Sequence, residues 1–307
     1  MKKKTVLVIS FLVLAMVALL VFRYAEEIVQ LKHNAIVYVL GQLRPAPEPE
    51  EDDFEERYSA YPAFTHSEDA WYLDTTLIYH AGGGIDGIKY TNSKEAMEWA
   101  VQQGNVLEID FRYTEDGTLI CAHEWTDITE SEESLTRSEF EALKICGAYT
   151  PMTAEDLISF MSLHEDVRVV VDTKETDAVS VVRELIRLAG NREDIIDRFI
   201  VQLYDKGTKQ SFLELHPFPE ENFLFTCYQF GSDPESVLRV CMEENISVVT
   251  VARNTWDADT VKLFTDKGII LFEHTLNRLD HVRSAHKKGI HGFYTDYLTE
   301  ADLPFAE

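Results

Sequence analysis

The sequence predicts an α/β protein: a TIM-type (β/α)8 barrel preceded by one N-terminal transmembrane helix. Three observations predict it. Strand and helix patterns alternate from Trp71 onward, as in a parallel sheet covered by helices. The stretch from Trp71 to Glu307 holds 237 residues, and about 250 is usual for one such barrel. Ahead of it, Lys2, Lys3 and Lys4 precede an uncharged apolar run of 18 residues from Thr5 to Phe22.

As a helix that run spans about 27 Å, close to the roughly 30 Å hydrocarbon core of a bilayer. Basic residues before it favour a cytoplasmic N-terminus and an exported remainder. A cleaved signal peptide is the alternative. Its apolar region is shorter, about 7–15 residues, and Val21-Phe22-Arg23-Tyr24 offers no small-residue cleavage site. The expected domains are therefore an anchor over 1–24, a juxtamembrane helix over 25–44, a Pro/acidic linker over 45–69 and the barrel over 70–307. The linker reads so because Pro45, Pro47 and Pro49 stiffen it and the acidic run after them extends it. The location that follows is the cell membrane, single-pass, with the barrel extracytoplasmic.

The chain has 54 acidic and 28 basic residues, a formal charge of −26. Such a surface repels phosphate backbones, which argues against nucleic acid as a partner. Cys121, Cys146, Cys227 and Cys241 show no C-x-x-C spacing, which excludes a disulfide scaffold or zinc ribbon.

Strands are predicted at Leu77–Tyr79, Val106–Phe111, Thr118–Ala122, Val167–Val171, Phe199–Leu203, Phe223–Thr226, Ser247–Val251, Ile269–Phe272 and Gly292–Thr295. Short apolar runs bounded by turn residues carry that reading, and the near-continuous valine run at 167–171 suits a strand buried on both faces. Helices are predicted at 92–103, 177–189, 234–244, 258–267 and 276–288. Asn92 is read as the cap of the first, with Glu95 three residues on and Gly104 after its end. Nine strands are one too many for the barrel. Only six residues separate Phe111 from Thr118, too few for a parallel crossover, so this connection is a hairpin and one of its strands an excursion or irregular. A doubly wound open sheet is the alternative, but no G-x-G-x-x-G follows a strand.

Catalytic groups of such barrels sit at the C-terminal strand ends. Here those ends read His80-Ala81-Gly82-Gly83-Gly84, Glu108-Ile109-Asp110-Phe111-Arg112, His123-Glu124 and Asp172-Thr173-Lys174-Glu175. Glu108, Asp110 and Arg112 share one face of their strand. Glu108, Asp110 and Asp172 form a hard all-oxygen set that suits one Mg2+ or Ca2+. His80 and His123 supply a general base and a general acid near neutral pH. Plainer roles are expected elsewhere: satisfied or exposed histidines as the default at 274, 281, 286 and 291, solvated carboxylates at Glu124 and Glu175, and a structural ion pair as the competing role of Lys174 beside Asp172.

This set resembles the glycerophosphodiester phosphodiesterase family, over about Thr76 to Leu298. The family's H-R-G, E-N-T, E-x-D, T-x-D-G, H-D, E-x-K and G-x-x-T-D blocks read here as His80-Ala81-Gly82, Thr91-Asn92-Ser93, Glu108-Ile109-Asp110, Thr114-Glu115-Asp116-Gly117, His123-Glu124, Asp172-Thr173-Lys174 and Gly292-Phe293-Tyr294-Thr295-Asp296. The resemblance implies a metal held by Glu108, Asp110 and Asp172, acid–base work by His80 and His123, and a phosphate contact from Lys174. It implies attack of a substrate hydroxyl on phosphorus to give a cyclic phosphate that water opens.

The departures shape the expected substrate site. The family's Arg after the first His is Ala81, so the amides of Gly82, Gly83 and Gly84 are expected to form an anion nest, with Arg112 reaching in. The loop from Ala81 to Tyr90 is long for the family. Its third carboxylate is the shorter Asp172, and its W-T-x-N wall reads His274-Thr275-Leu276-Asn277, placing His274 against the substrate. The expected partner is a small phosphodiester or a lipid-derived or cell-envelope substrate. A phospholipase C- or D-like enzyme on intact lipid and a non-catalytic binding protein on a degenerate barrel are the alternatives. The sequence sets no oligomeric state.

Overall fold

The computed structural model describes residues 58–190, 192–227, 233–303 and 305. The anchor expected over 1–24, the helix expected over 25–44 and the linker up to residue 57 lie outside the described residues. Among the described residues no helix is long and apolar enough to cross a membrane.

Nine strands form one sheet: β1 (Leu77–Tyr79), β2 (Val106–Tyr113), β3 (Leu119–Cys121), β4 (Arg168–Thr173), β5 (Phe199–Leu203), β6 (Phe223–Thr226), β7 (Val248–Ala252), β8 (Ile270–His274) and β9 (Gly292–Thr295). Their order is β1-β9-β8-β7-β6-β5-β4-β2-β3, and β1 also pairs with β2. Eight parallel strands therefore close into a barrel. The ninth, β3, is the hairpin excursion: it runs antiparallel on β2, with Phe111 opposite Cys121. Its exit builds a satellite core of Ile120, Trp125, Ile128, Phe140 and Tyr149.

Alternation along β2 and β4 decides what reaches the barrel mouth. The register sets Glu108 beside Val170 and Asp110 beside Asp172. Apolar groups nearer the strand starts, Val106, Val170, Ile200, Leu224 and Val248, fill the interior, and Trp71 and Tyr72 pack onto that cluster. Trp71 stacks on Phe272 at 5.8 Å and donates from Nε1 to the Glu221 carbonyl at 2.7 Å.

The described end of the expected linker packs on the barrel. Tyr58 donates to the Leu263 carbonyl, Phe64 N to the Lys267 carbonyl, and Lys267 Nζ to the Tyr61 carbonyl. Residues 58–64 are thus docked on the barrel rather than free spacer. Gly268 shows why the docking is close: a Cβ there would lie 2.7 Å from the Phe64 carbonyl oxygen, and its φ is +72°.

The first helix is also re-capped. It covers Lys94–Ala100, and Ser93 caps it by accepting from Ala96 N. Asn92, expected as the cap, turns to φ +45° and is spent elsewhere.

Candidate active site

Each histidine is oriented by a carboxylate. His80 follows β1 directly and is 4% exposed. Its Nδ1 lies 2.8 Å from Asp296 Oδ1, at the end of β9. Asp296 also accepts from Asn277 Nδ2, and its own amide donates to Asn277 Oδ1. Burial pushes the Asp296 pKa up, but the bond and charge of His80 outweigh it and hold the group below its usual value. The carboxylate only accepts, so in the neutral ring Nδ1 carries the proton and Nε2 the lone pair. His123 repeats the design at 2.7 Å from Asp127 Oδ2. Asp127 is placed by the helix Trp125–Ile128, whose capping box also gives it the Glu124 amide.

The three carboxylates come together as expected. One oxygen from each of Glu108, Asp110 and Asp172 lies within 4.8 Å of the others, and all three residues are buried. Glu108 Oε2 accepts the Ala81 amide at 2.7 Å. Asn92 braces Asp110 twice, donating to Oδ2 at 2.8 Å and accepting from its amide at 3.1 Å. Tyr204, one residue past β5, donates to Asp172 Oδ1 at 2.5 Å and itself accepts from Gln202. Lys174 Nζ stands 2.9 Å from Asp110 Oδ1 and 2.7 Å from Asp172 Oδ2. Its structural ion pair is therefore formed.

These contacts divide the carboxyl groups. Burial, then Asp110 and Asp172, push the Glu108 pKa well above the usual carboxylate range. Burial also raises Asp110, but Lys174, His123 and His80 outweigh it and the group sits low. Glu108 is thus the member most ready to hold a proton.

Two expectations for substrate contact come out differently, the glycine nest and Arg112. Two of the three glycine amides are turned away from an open nest: Gly83 N donates to the His80 carbonyl and Gly84 N to the Asp296 carbonyl. A Cβ on Gly82 would meet Met97 at 3.1 Å, and one on Gly83 would meet Ala100 at 3.2 Å, so both positions face the first helix. Their missing side chains serve close packing. Arg112 bonds Glu124 at 3.0 Å and lies 5.9 Å above the Trp125 ring instead of reaching in. Glu124 is correspondingly a rim ion-pair partner rather than simply solvated. His274 does join the site: its ring meets His80 edge-on at 4.7 Å and Tyr294 at 5.0 Å. Burial, then the charges of His80, Lys174 and His123, push its pKa well below the imidazole value.

Sequence reasoning missed Asp127, Asp296, Asn92, Tyr90 and Tyr204 as site residues. Asp127 had a signal, the i,i+4 spacing from His123. Asp296 had another, since the last strand of a closed barrel lies beside the first. Tyr90 and Tyr204 had none, because their neighbours come from distant segments.

No family model matches the sequence, and no curated protein matches it. Solved structures do. A phosphodiesterase from Oleispira antarctica, determined with its product sn-glycerol-3-phosphate, aligns with TM-score 0.62 at 16% identity, covering 74% of this chain and 95% of that one. A glycerophosphodiester phosphodiesterase from Thermotoga maritima aligns with TM-score 0.53 at 20% identity, over 76% and 96%. One from Parabacteroides distasonis aligns with TM-score 0.56 at 18% identity, over 73% and 93%. The fold is that of the glycerophosphodiester phosphodiesterases.

In this phosphodiesterase fold the acidic cluster fits a divalent cation. Its donors are hard oxygens within reach of one ion. Asp110 Oδ1 is buried and accepts no hydrogen bond among the described residues, meeting the Lys174 charge instead. Three carboxyl groups and one ammonium leave negative charge for a cation to neutralise.

Proposed function

We propose that this chain is a metal-dependent hydrolase of a small glycerophosphodiester-type substrate. It would act outside the cytoplasm, held to the membrane by its N-terminal apolar run. One observation carries the reading of the chemistry: two histidines, each oriented through Nδ1 by a carboxylate, stand beside a buried three-carboxylate cluster.

The roles follow from that arrangement. One imidazole takes the proton of the attacking substrate hydroxyl, and the other gives a proton to the departing oxygen. In the second stage the roles reverse as water opens the cyclic phosphate. Glu108, Asp110 and Asp172 would hold one Mg2+ or Ca2+, which as a Lewis acid offsets charge on the phosphoryl oxygens. Lys174 adds positive charge at the same place. The formal charge of −26 opposes binding to anionic lipid, which favours a small diester over an intact bilayer lipid.

The test is hydrolysis of glycerophosphodiesters, lysolipids and teichoic-acid-like polymers by the purified chain with Mg2+ or Ca2+. His80→Ala and His123→Ala should each lower kcat by about 10²–10⁴ with thermal stability retained. Turnover of intact phospholipid alone would favour a phospholipase. No turnover of any diester by the metal-loaded chain would favour a binding protein. Fractionation tests the anchor: a soluble form beginning near Ala25 would mark a cleaved signal instead.

A further inference from the structure

A tyrosine ring touches both histidines. Tyr90 ends the long loop after β1, and its ring centroid lies 4.7 Å from His80 and 4.6 Å from His123. An acid–base pair acting on one phosphorus holds that phosphorus between its two working nitrogens. A group packed on both imidazoles is therefore at the reacting centre.

Several nearby donor groups are already committed. Ala81 N serves Glu108, Asn92 Nδ2 serves Asp110, and Arg112 serves Glu124. Lys174 is held by two carboxylates. Among the described residues the Tyr90 hydroxyl has no hydrogen-bond partner. Burial, then Asp296, Asp110, Glu108 and Asp127, push its pKa up, so the oxygen keeps its proton and can only serve as a neutral donor toward an anion.

The backbone holds the ring there at a cost. Tyr90 has φ +58° and Asn92 φ +45°, a region that side chains other than glycine rarely adopt. The segment is clamped by the double bond of Asn92 to Asp110 and by Asn92 N on the Ala81 carbonyl. Such strain persists where the surroundings enforce it, commonly at functional sites.

We propose that Tyr90 is a substrate-contacting residue, whose phenol O–H donates to a phosphoryl oxygen while its ring fixes the two imidazoles. This rests on the phosphodiesterase reading above. A residue that merely covers the histidines would need the ring and not the hydroxyl.

The experiment compares the full chain with Tyr90→Phe and Tyr90→Leu. It measures kcat and KM on the best glycerophosphodiester, and affinity for sn-glycerol-3-phosphate by calorimetry. Tyr90→Phe should lower kcat about 10²-fold, with KM within about threefold, since the bond strengthens as charge develops. It should loosen the phosphate ester about tenfold. Tyr90→Leu should lose at least as much in both. Tyr90→Phe within twofold of wild type in kcat and affinity overturns the proposal. A wild-type chain that binds the ester without hydrolysing any diester removes the hydrolase reading alone, and a tenfold loss in Tyr90→Phe then still upholds the contact. A wild-type chain that does neither overturns both.

Discussion

His80 and Asp296 are 216 residues apart in the chain and 2.8 Å apart in space, joined across the seam where β9 closes on β1. The bond fixes the tautomer of a buried imidazole. Asp296→Asn keeps the size but can offer an amide N–H where an acceptor is needed, which favours the wrong tautomer. It should lower kcat by about 10²–10⁴ with KM little changed. Steady-state kinetics check this, and a kcat within twofold of wild type would show that His80 needs no orienting partner.

Chelation gives the second prediction. EDTA should inactivate the protein, and Mg2+ or Ca2+ should restore it. Glu108→Gln resembles the protonated carboxyl that the raised pKa favours. The variant should therefore fold as stably as wild type in EDTA, yet lose most of the rise in Tm that the cation gives wild type. Full activity after exhaustive chelation would sink the metal reading.

The third concerns pH. His274 has a folded pKa below its ordinary 6.5. Above that value the ring is neutral folded or unfolded and contributes nothing. Below it the unfolded chain takes up a proton that the folded one refuses. Stability should then fall with pH by up to about 1.4 kcal/mol per unit, until the folded pKa is reached. Denaturant titrations between pH 7.5 and 5 should show a shallower loss for His274→Gln. Identical slopes would contradict the assignment.

The fourth addresses the residue after the first histidine. Ala81 is fully buried at φ +50°, with its amide on Glu108. Ala81→Arg must force a long side chain out of a packed site, at a cost of about 1–3 kcal/mol. Thermal unfolding should show the loss, and turnover should not improve. A gain of about several hundred-fold, the worth of an electrostatic anchor, would instead mark a site decayed by loss of an arginine.

Much of the fold was legible because strand and helix periods are local. The alternation from Trp71, the six-residue link that forces a hairpin, and the polar strand ends all follow from residues close in sequence. The two histidines and three carboxylates were legible for the same reason: an ionisable group ending an apolar strand has few structural uses. The glycines were not. A run of Gly82, Gly83 and Gly84 permits an open nest or a close approach equally, and only the positions of Met97 and Ala100 decide between them. Asn92 was misread because an asparagine before a helix can cap it or turn left-handed, and Asp110 takes it for the second use.

By itself the sequence determined the barrel, its extra strand and which side chains stand at its mouth, since these follow from the periods of helix and strand and from the length of each connection. Only the tertiary structure decided what those side chains do. It set Asp110 level with Asp172, drew Lys174 between them, gave each histidine its carboxylate and laid Tyr90 across both. Hydrogen bonds and ion pairs act over about 3 Å, and closing a barrel brings groups to that distance whatever their separation along the chain.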